Sequence, residues 1–342
     1  MQNNQLLKAY LSDADNYSIE LFGDGLIHKT YVVNRDGSPE YILQEVNANV
    51  FKKPYDIASN LNCLSSFLQQ KGIEIFFPLP LQTINCNDYV YLDDKYFRLT
   101  PFEKGAHAIN SCSTPEQAYQ ASFQFGNFTA AFDGFDTTAL KETIPQFHDL
   151  EFRWQQYTDS LANGNPERIR MARKEIDMIN SKFDIVSRSK QFNTSSSFIK
   201  RVTHHDTKIS NVLFNQQGKG LCVIDLDTVM PGFFISDVGD MCRTYLSPGN
   251  EEETDLSKVY VRTDFYKAIV SGYLEKMADR MTEDEKTSIN YSGEFIIYMQ
   301  ALRFLTDFLN NDAYYGIRYE MNNYDRTINQ LHLLELYQQQ TK

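Results

Sequence analysis

Apolar and polar positions alternate with a period of two through Tyr17-Ser-Ile-Glu-Leu-Phe22, which predicts a half-buried strand. The Gly23-Asp-Gly25 break interrupts it, and the β-branched and aromatic run resumes at Lys29-Thr-Tyr-Val-Val33. An Asp36-Gly37 pair then predicts a hairpin turn into Tyr41-Ile-Leu-Gln44. The period changes in residues 55–71, where Ile57, Leu61, Leu64 and Leu68 recur at helical spacing. Tyr89-Val-Tyr-Leu92 and Tyr96-Phe-Arg-Leu99, around Asp93-Asp94, predict a second hairpin. From about residue 115 the pattern is helical, over 115–132, 147–162, 165–190, 257–278 and 283–310. One β-rich island, 212–226, interrupts it. The order predicts an α+β protein: a small β-rich lobe (1–102), a connector near Thr100–Gly105, and a larger, mainly helical lobe (103–342).

Composition narrows the class. The 342 residues are 42% hydrophobic and 23% charged, an ordinary globular balance. A formal net charge of −12 and the lack of a long basic patch exclude a nucleic-acid or anionic-membrane partner and leave a small-molecule substrate. The five cysteines never occur as Cys-x-x-Cys, so neither zinc nor a dithiol redox motif is indicated. The N-terminus lacks the basic-then-apolar order of a signal peptide. The most apolar stretch, Phe295 to Leu305, is too short to span a bilayer and contains Gln300 and Arg303. A cytoplasmic monomer or weak homodimer is expected.

Chemistry concentrates in His204-His205-Asp206-Thr207-Lys208-Ile209-Ser210-Asn211, followed by Val223-Ile224-Asp225. The spacing His-x-Asp-x-x-x-x-Asn matches a phosphotransferase catalytic loop. Between Asn211 and Asp225 there is room for two short strands and a turn, a hairpin that returns Asp225 beside Asp206 and Asn211. Transfer of a γ-phosphoryl group spreads negative charge over oxygens, so such a site needs divalent charge and a fixed nucleophile. Asp206 is the expected base that orients the acceptor hydroxyl. Asn211 and Asp225 are the expected Mg²⁺ ligands against the phosphates of ATP, an oxygen set that suits a hard ion. Asp227, read as two residues further along a strand, would share the face of Asp225 and hold a second ion or water. Lys208 is placed to neutralise the transferring group. His204 reads as a brace for the loop.

At these residues the sequence resembles the aminoglycoside phosphotransferase/choline kinase superfamily, and within it the N-acetylhexosamine 1-kinases. The segments that carry the resemblance are Gly25-Leu-Ile-His-Lys-Thr-Tyr31, Tyr41-Ile-Leu-Gln44, Val50-Phe-Lys-Lys-Pro54 and His205-Asp-Thr-Lys-Ile-Ser-Asn-Val-Leu-Phe214. Cys222-Val-Ile-Asp-Leu-Asp-Thr-Val-Met-Pro-Gly232, Asp237-Val-Gly-Asp240 and Ala301-Leu-Arg-Phe-Leu-Thr-Asp307 complete the set. The resemblance implies a two-lobed protein-kinase-like fold, with ATP and Mg²⁺ as co-substrate and cofactor. It also implies phosphorylation of the anomeric hydroxyl of GlcNAc or GalNAc, an amino sugar. The rivals are another small-molecule kinase of the same fold (choline, homoserine, methylthioribose or aminoglycoside) and a catalytically silent nucleotide-binding regulator.

Several residues keep two readings. Gly23 and Gly25 either let backbone approach the ATP phosphates or form a plain hairpin turn. Where a Val-Ala-Ile-Lys-like motif would place its phosphate-binding lysine on the third strand, the chain has Gln44. Lys29, Lys52 or Lys53 would compensate, or the nucleotide contacts differ. The strand ending at Pro101 reads as an interlobe hinge, with backbone around Pro101–Glu103 facing adenine. Asp237 and Asp240 begin a helical stretch and are either capping carboxylates or braces of the catalytic loop, with Arg243 as a partner for Asp240. Arg303, within an apolar helix, either pairs with Asp307 or faces a polar cavity. The resemblance favours the cavity and a contact to the acceptor. Trp154 and Tyr314-Tyr315 could stack on a sugar face or serve packing.

Overall fold

The computed structural model describes residues 2–23 and 27–341. Helix α1 (Gln2–Lys8) leads into strands β1 (Tyr17–Leu21), β2 (Lys29–Arg35) and β3 (Ser38–Val46). Helix α2 (Pro54–Lys71) and strands β4 (Val90–Leu92) and β5 (Lys95–Pro101) complete the sheet region. The sheet is antiparallel, in the order β1-β2-β3-β5-β4. Both anticipated hairpin turns form, with φ of 49° and 76° at Asp36 and Gly37 and of 51° and 59° at Asp93 and Asp94. Positive φ at both central residues gives the turn a twist that matches the strands it joins. One sheet face packs on Leu6, Leu7 and Tyr10 from the N-terminal segment, against Val33, Leu43, Phe97 and Leu99.

Beyond Pro101 the chain is mainly helical: α3 (Pro115–Ala131), α4 (Leu150–Asn163), α5 (Pro166–Met171), α6 (Arg173–Ser181) and α7 (Phe183–Thr194). After four short strands come α8 (Phe234–Tyr245), α9 (Thr263–Met277), α10 (Glu283–Thr287), α11 (Ile289–Leu309) and α12 (Asn322–Gln340). This mixed α/β arrangement, a sheet followed by a helical region, agrees with the α+β class expected from the pattern. Helix α11 is the central element, buried on nearly every side. Helix α8 lies against it so closely that a Cβ on Gly239 would come within 2.2 Å of the Ser292 carbonyl oxygen. Glycine at 239 therefore sets how deep α8, and the carboxylates it carries, sit in the core.

Two expectations change. The single helix expected over 165–190 is three helices, broken at Ala172 and Lys182. The carbonyls near the second break find partners elsewhere: the hydroxyl of Tyr298 donates to Ile179 O and that of Tyr291 to Ile185 O, both from α11. The span 283–310 is divided at Ser288 into α10 and α11. Among the described residues, no helix is long and apolar enough to cross a membrane.

Candidate active site

Four short strands frame the residues expected to be catalytic. β6 (Arg201–Thr203) pairs with β9 (Met230–Gly232), and β7 (Val212–Phe214) pairs with β8 (Gly220–Val223). The β7–β8 hairpin is the one the spacing anticipates, and Ile224 N–H donates to Asn211 O at 2.9 Å to close it. His204 is fully buried, its Nε2 3.0 Å from the Ile224 carbonyl oxygen and its ring edge-on to Phe125. Burial lowers its pKa, so the ring is neutral at neutral pH and links the catalytic loop to the loop carrying Asp225.

The catalytic loop is held from behind by α8. Asp237 accepts the backbone N–H groups of His204 (3.1 Å) and His205 (2.8 Å). Asp240 accepts Thr207 N–H at 2.8 Å and pairs with Arg243 at 2.9 Å. Thr207 Oγ1 donates to Asp237 O at 2.7 Å, and the Tyr245 hydroxyl donates to Thr207 O at 2.5 Å. These bonds stabilise the left-handed φ of 67° at His205, unfavourable for a residue with a Cβ. Burial pushes the Asp237 carboxyl up to about 7 against the opposing pull of its two backbone donors.

Asp206 is fixed on two sides. Lys208 Nζ donates to its Oδ2 at 2.9 Å, and Asn211 Nδ2 donates both to that oxygen (3.0 Å) and to the Asp206 carbonyl (2.9 Å). Burial alone would raise its pKa, but the Lys208 ammonium beside it more than offsets burial and holds the carboxyl below the usual range. With its amide nitrogen committed, the side-chain oxygen of Asn211 receives no hydrogen bond from any described residue. The Asp225 carboxylate receives none either. Burial, then the neighbouring Asp227 charge, raises the Asp225 pKa. Two hard oxygen donors lacking partners, near a second carboxylate, Asp206, that stays ionised, fit a magnesium ion.

Asp227 departs from its expected setting. Asp225 has φ 61° and ψ 59°, and a 3-10 turn over Leu226–Thr228 follows it, so the two aspartates do not alternate along a strand. The left-handed residue turns the chain and carries Asp227 under the sheet. There Arg98 binds it through Nη1 (2.5 Å to Oδ1) and Nη2 (3.0 Å to Oδ2), and His28 Nε2 lies 2.6 Å from Oδ2. Asn47 N–H donates to His28 Nδ1, which leaves Nε2 as the protonated nitrogen. His28, Asp225 and Asp227 each offer a ligand atom within 4.8 Å of the others.

Arg98, His28 and Asn60 are the residues sequence reasoning passed over. Arg98 lies directly opposite Gln44 in the β3–β5 register and binds its Oε1 through Nε (3.0 Å) and Nη2 (2.8 Å). Its signal was a charged residue between Phe97 and Leu99 in a strand buried on both faces. Asn60, fully buried on α2, donates to Val229 O just beyond the Asp227 turn and to Lys141 O, both at 2.9 Å. Lys29, Lys52 and Lys53 are exposed, and Lys29 lies over the Tyr31 ring. Gly23, with φ 71°, follows β1, whereas Gly25 lies outside the described residues. At the end of β5, Phe102 N–H donates to Glu40 O, and His107 exchanges backbone bonds with Phe214. The Pro101–Glu103 backbone is thereby set above the β7–β8 hairpin.

A cavity of about 380 Å³ lies between α4, α11 and the segment after α11, lined by Arg153, Arg303, Asp307, Asn310, Tyr314 and Tyr315 among others. Arg303 does not pair with Asp307, whose oxygens accept Tyr314 N–H, Tyr315 N–H and Asn323 Nδ2. Its guanidinium sits instead 5.7 Å from the Phe147 ring and 5.4 Å from the Tyr315 ring. Phe147 in turn neighbours His205, 6.4 Å between centroids, which links Arg303 to the loop through one intervening ring. Arg153 also lines it, with a buried Nε that has no partner. Trp154 packs between Tyr157 and Phe183.

A family model described as the phosphotransferase enzyme family matches residues 18–268. The chain belongs to that family. Solved structures similar to this phosphotransferase along nearly its whole length include a microcompartment-associated aminopropanol kinase. That match has 16% identity, a TM-score of 0.70, and covers 99% of this chain and 97% of that one. An aminoglycoside phosphotransferase from Alicyclobacillus acidocaldarius has 15% identity and a TM-score of 0.64, over 98% and 95%. A spectinomycin phosphotransferase solved with AMP has 14% identity and a TM-score of 0.60, over 98% and 97%. At these identities the likeness shows that the phosphotransferase shares their fold.

Proposed function

We propose that this phosphotransferase moves the γ-phosphoryl group of ATP to the anomeric hydroxyl of an N-acetylhexosamine, giving the sugar 1-phosphate. The observation that carries the transfer is the Asp206 carboxylate, kept ionised by Lys208 and aligned by Asn211, with Asp225 left free of hydrogen bonds nearby. Nucleotide binds in the cleft between an N-terminal lobe (1–102) and a C-terminal lobe (103–342), its adenine against the Pro101–Glu103 backbone. The Gly23 turn and Gln44 border the phosphates.

Asp206 accepts a hydrogen bond from the sugar hydroxyl and takes its proton as the oxygen attacks. Lys208, side chain 42% exposed and already beside Asp206, can swing toward the transferring group and offset its charge. Asn211 and Asp225 would hold Mg²⁺, with Asp227 braced behind them. That ion, when bound, neutralises charge on the phosphate oxygens.

For the acceptor, a cavity that mixes amide, carboxylate and guanidinium groups with the faces of Tyr314 and Tyr315 suits a polyhydroxylated ring. Arg303, with no carboxylate partner, would donate to the sugar. The test is ATP consumption with Mg²⁺ against GlcNAc, GalNAc, glucose, choline, ethanolamine, homoserine, methylthioribose and kanamycin, with the product position read by phosphorus NMR. An anomeric phosphate from the N-acetyl sugars alone is the expected result. Turnover of an amino alcohol in their place would discard the sugar assignment and keep the transfer chemistry.

A further inference from the structure

The third strand raises a question that the proposed reaction leaves open: Gln44 stands where a cation is expected, and no described lysine reaches that position. The neighbouring strand supplies a cation. Directly cross-strand residues on one face lie close enough for their side chains to meet, and Arg98 is the cross-strand neighbour of Gln44. Its guanidinium, however, is heavily engaged, with two bonds to Gln44 and two to Asp227, four of its five N–H groups. With Arg98 and Asp227 both almost wholly buried, the guanidinium is not offered to a phosphate. Its link is to the loop that carries Asp225.

We propose that Arg98 is a positioning residue for the metal site, fixing the Asp225 carboxylate through Asp227. The proposal rests on the reading of Asp225 as a metal ligand. Asp227 is gripped on one side by the planar fork of Arg98 and on the other by His28, whose ring is stacked on Phe51 and tied to Asn47. A rigid, bidentate grip at Asp227 fixes the short 3-10 turn, and with it the left-handed residue at its start. Arg98 and His28 come from the sheet region, at separations of 129 and 199 residues from Asp227. The metal ligand therefore acquires its position only when the sheet sits down on the loop. In this chain, closure of the two regions and alignment of Asp225 are a single event, with Gln44 orienting the arginine that accomplishes it.

The test is calorimetric titration of the purified full chain with ADP, with and without Mg²⁺, for the wild type and for Arg98→Met, Arg98→Lys and Asp225→Ala. Supporting atoms behind a metal ligand typically change metal affinity by about tenfold or more when removed. Arg98→Met should accordingly lose about tenfold of the strengthening that Mg²⁺ gives to ADP binding. The KM for the acceptor should stay within about twofold, since it does not depend on where Asp225 points, and metal-free ADP binding, which reports any change at Gln44, is the baseline against which the Mg²⁺ effect is taken. Arg98→Lys keeps the charge without the fork and should fall between. If Arg98→Met does not fold, the charge-balanced double variant Arg98→Met with Asp227→Asn removes both buried charges together. It should show the same loss. A lowered Tm with the Mg²⁺ effect intact, in either variant, would make Arg98 a stabilising residue only and overturn the proposal. A wild type whose ADP binding ignores Mg²⁺, or an Asp225→Ala variant that keeps the Mg²⁺ effect, would instead remove the metal assignment itself and the proposal with it.

Discussion

Asn60 offers a test of how the sheet region is attached to the rest of the chain. Its side chain sits on α2 with no exposure and makes three hydrogen bonds: to Lys141 O and Val229 O at 2.9 Å, and from Lys141 N–H at 2.7 Å. Asn60→Ala would strand two carbonyls and one N–H. Each buried polar group left unpaired costs about 1–3 kcal/mol, and the vacated space lets one or two of them recruit water, so the loss should be about 3 kcal/mol. Unfolding entropy of about 2 cal/mol/K per residue gives about 0.7 kcal/mol/K for 342 residues, so the expected fall in Tm is about 4 °C. Calorimetry with a single transition is the assay. Asn62, two positions on, is the control: it is exposed and its amide makes one long bond of 3.3 Å to Asp88, so Asn62→Ala should stay within about 0.5 kcal/mol of the wild type. Equal effects from the two substitutions would refute the idea that α2 is anchored through Asn60.

Three further outcomes are expected. Lys208→Met removes the charge that holds the Asp206 carboxyl low and leaves burial to raise it. The wild-type acid limb of kcat/KM should therefore lie below the ordinary aspartate pKa of about 4, and in the variant it should move toward neutral pH. An unmoved limb would mean that Asp206 is not the titrating base. Asp225→Ala should abolish the Mg²⁺-dependent part of nucleotide binding, measured by ADP titration with and without the ion. Arg303→Met should raise the acceptor KM about tenfold or more while the KM for ATP stays constant, the loss expected for a charged hydrogen bond to substrate. A rise in both would place Arg303 outside the acceptor cavity.

The parts of the site legible in the sequence were those fixed by short-range spacing. Asp206, Lys208 and Asn211 share one loop, and the hairpin that brings Asp225 back is closed by residues adjacent to it. The two Asp-led turns were equally local, since only residues tolerant of positive φ fit there. The Arg98–Asp227 pair was out of reach because its members lie in different regions of the chain, and only the β3–β5 register puts Gln44 beside Arg98. The break after Ser181 was hidden for a related reason: the groups that satisfy the nearby carbonyls are tyrosines of α11, more than a hundred residues away. Helix α12 was masked by its own composition. Its buried side includes Asn322, Asn323, Thr327, Asn329 and Gln330, so the stripe facing the core does not read as apolar.

The carboxylates of α8 have a consequence for experiment. The groups that shape the catalytic loop, Asp237 and Asp240, reach its backbone from helix α8, while Asp206, Lys208 and Asn211, the groups assigned to the reaction, are side chains of the loop itself. Shape and reactivity are thus encoded in separate stretches of chain. An inert Asp206→Asn protein should keep an undistorted loop, and so could trap ATP and acceptor side by side for crystallography.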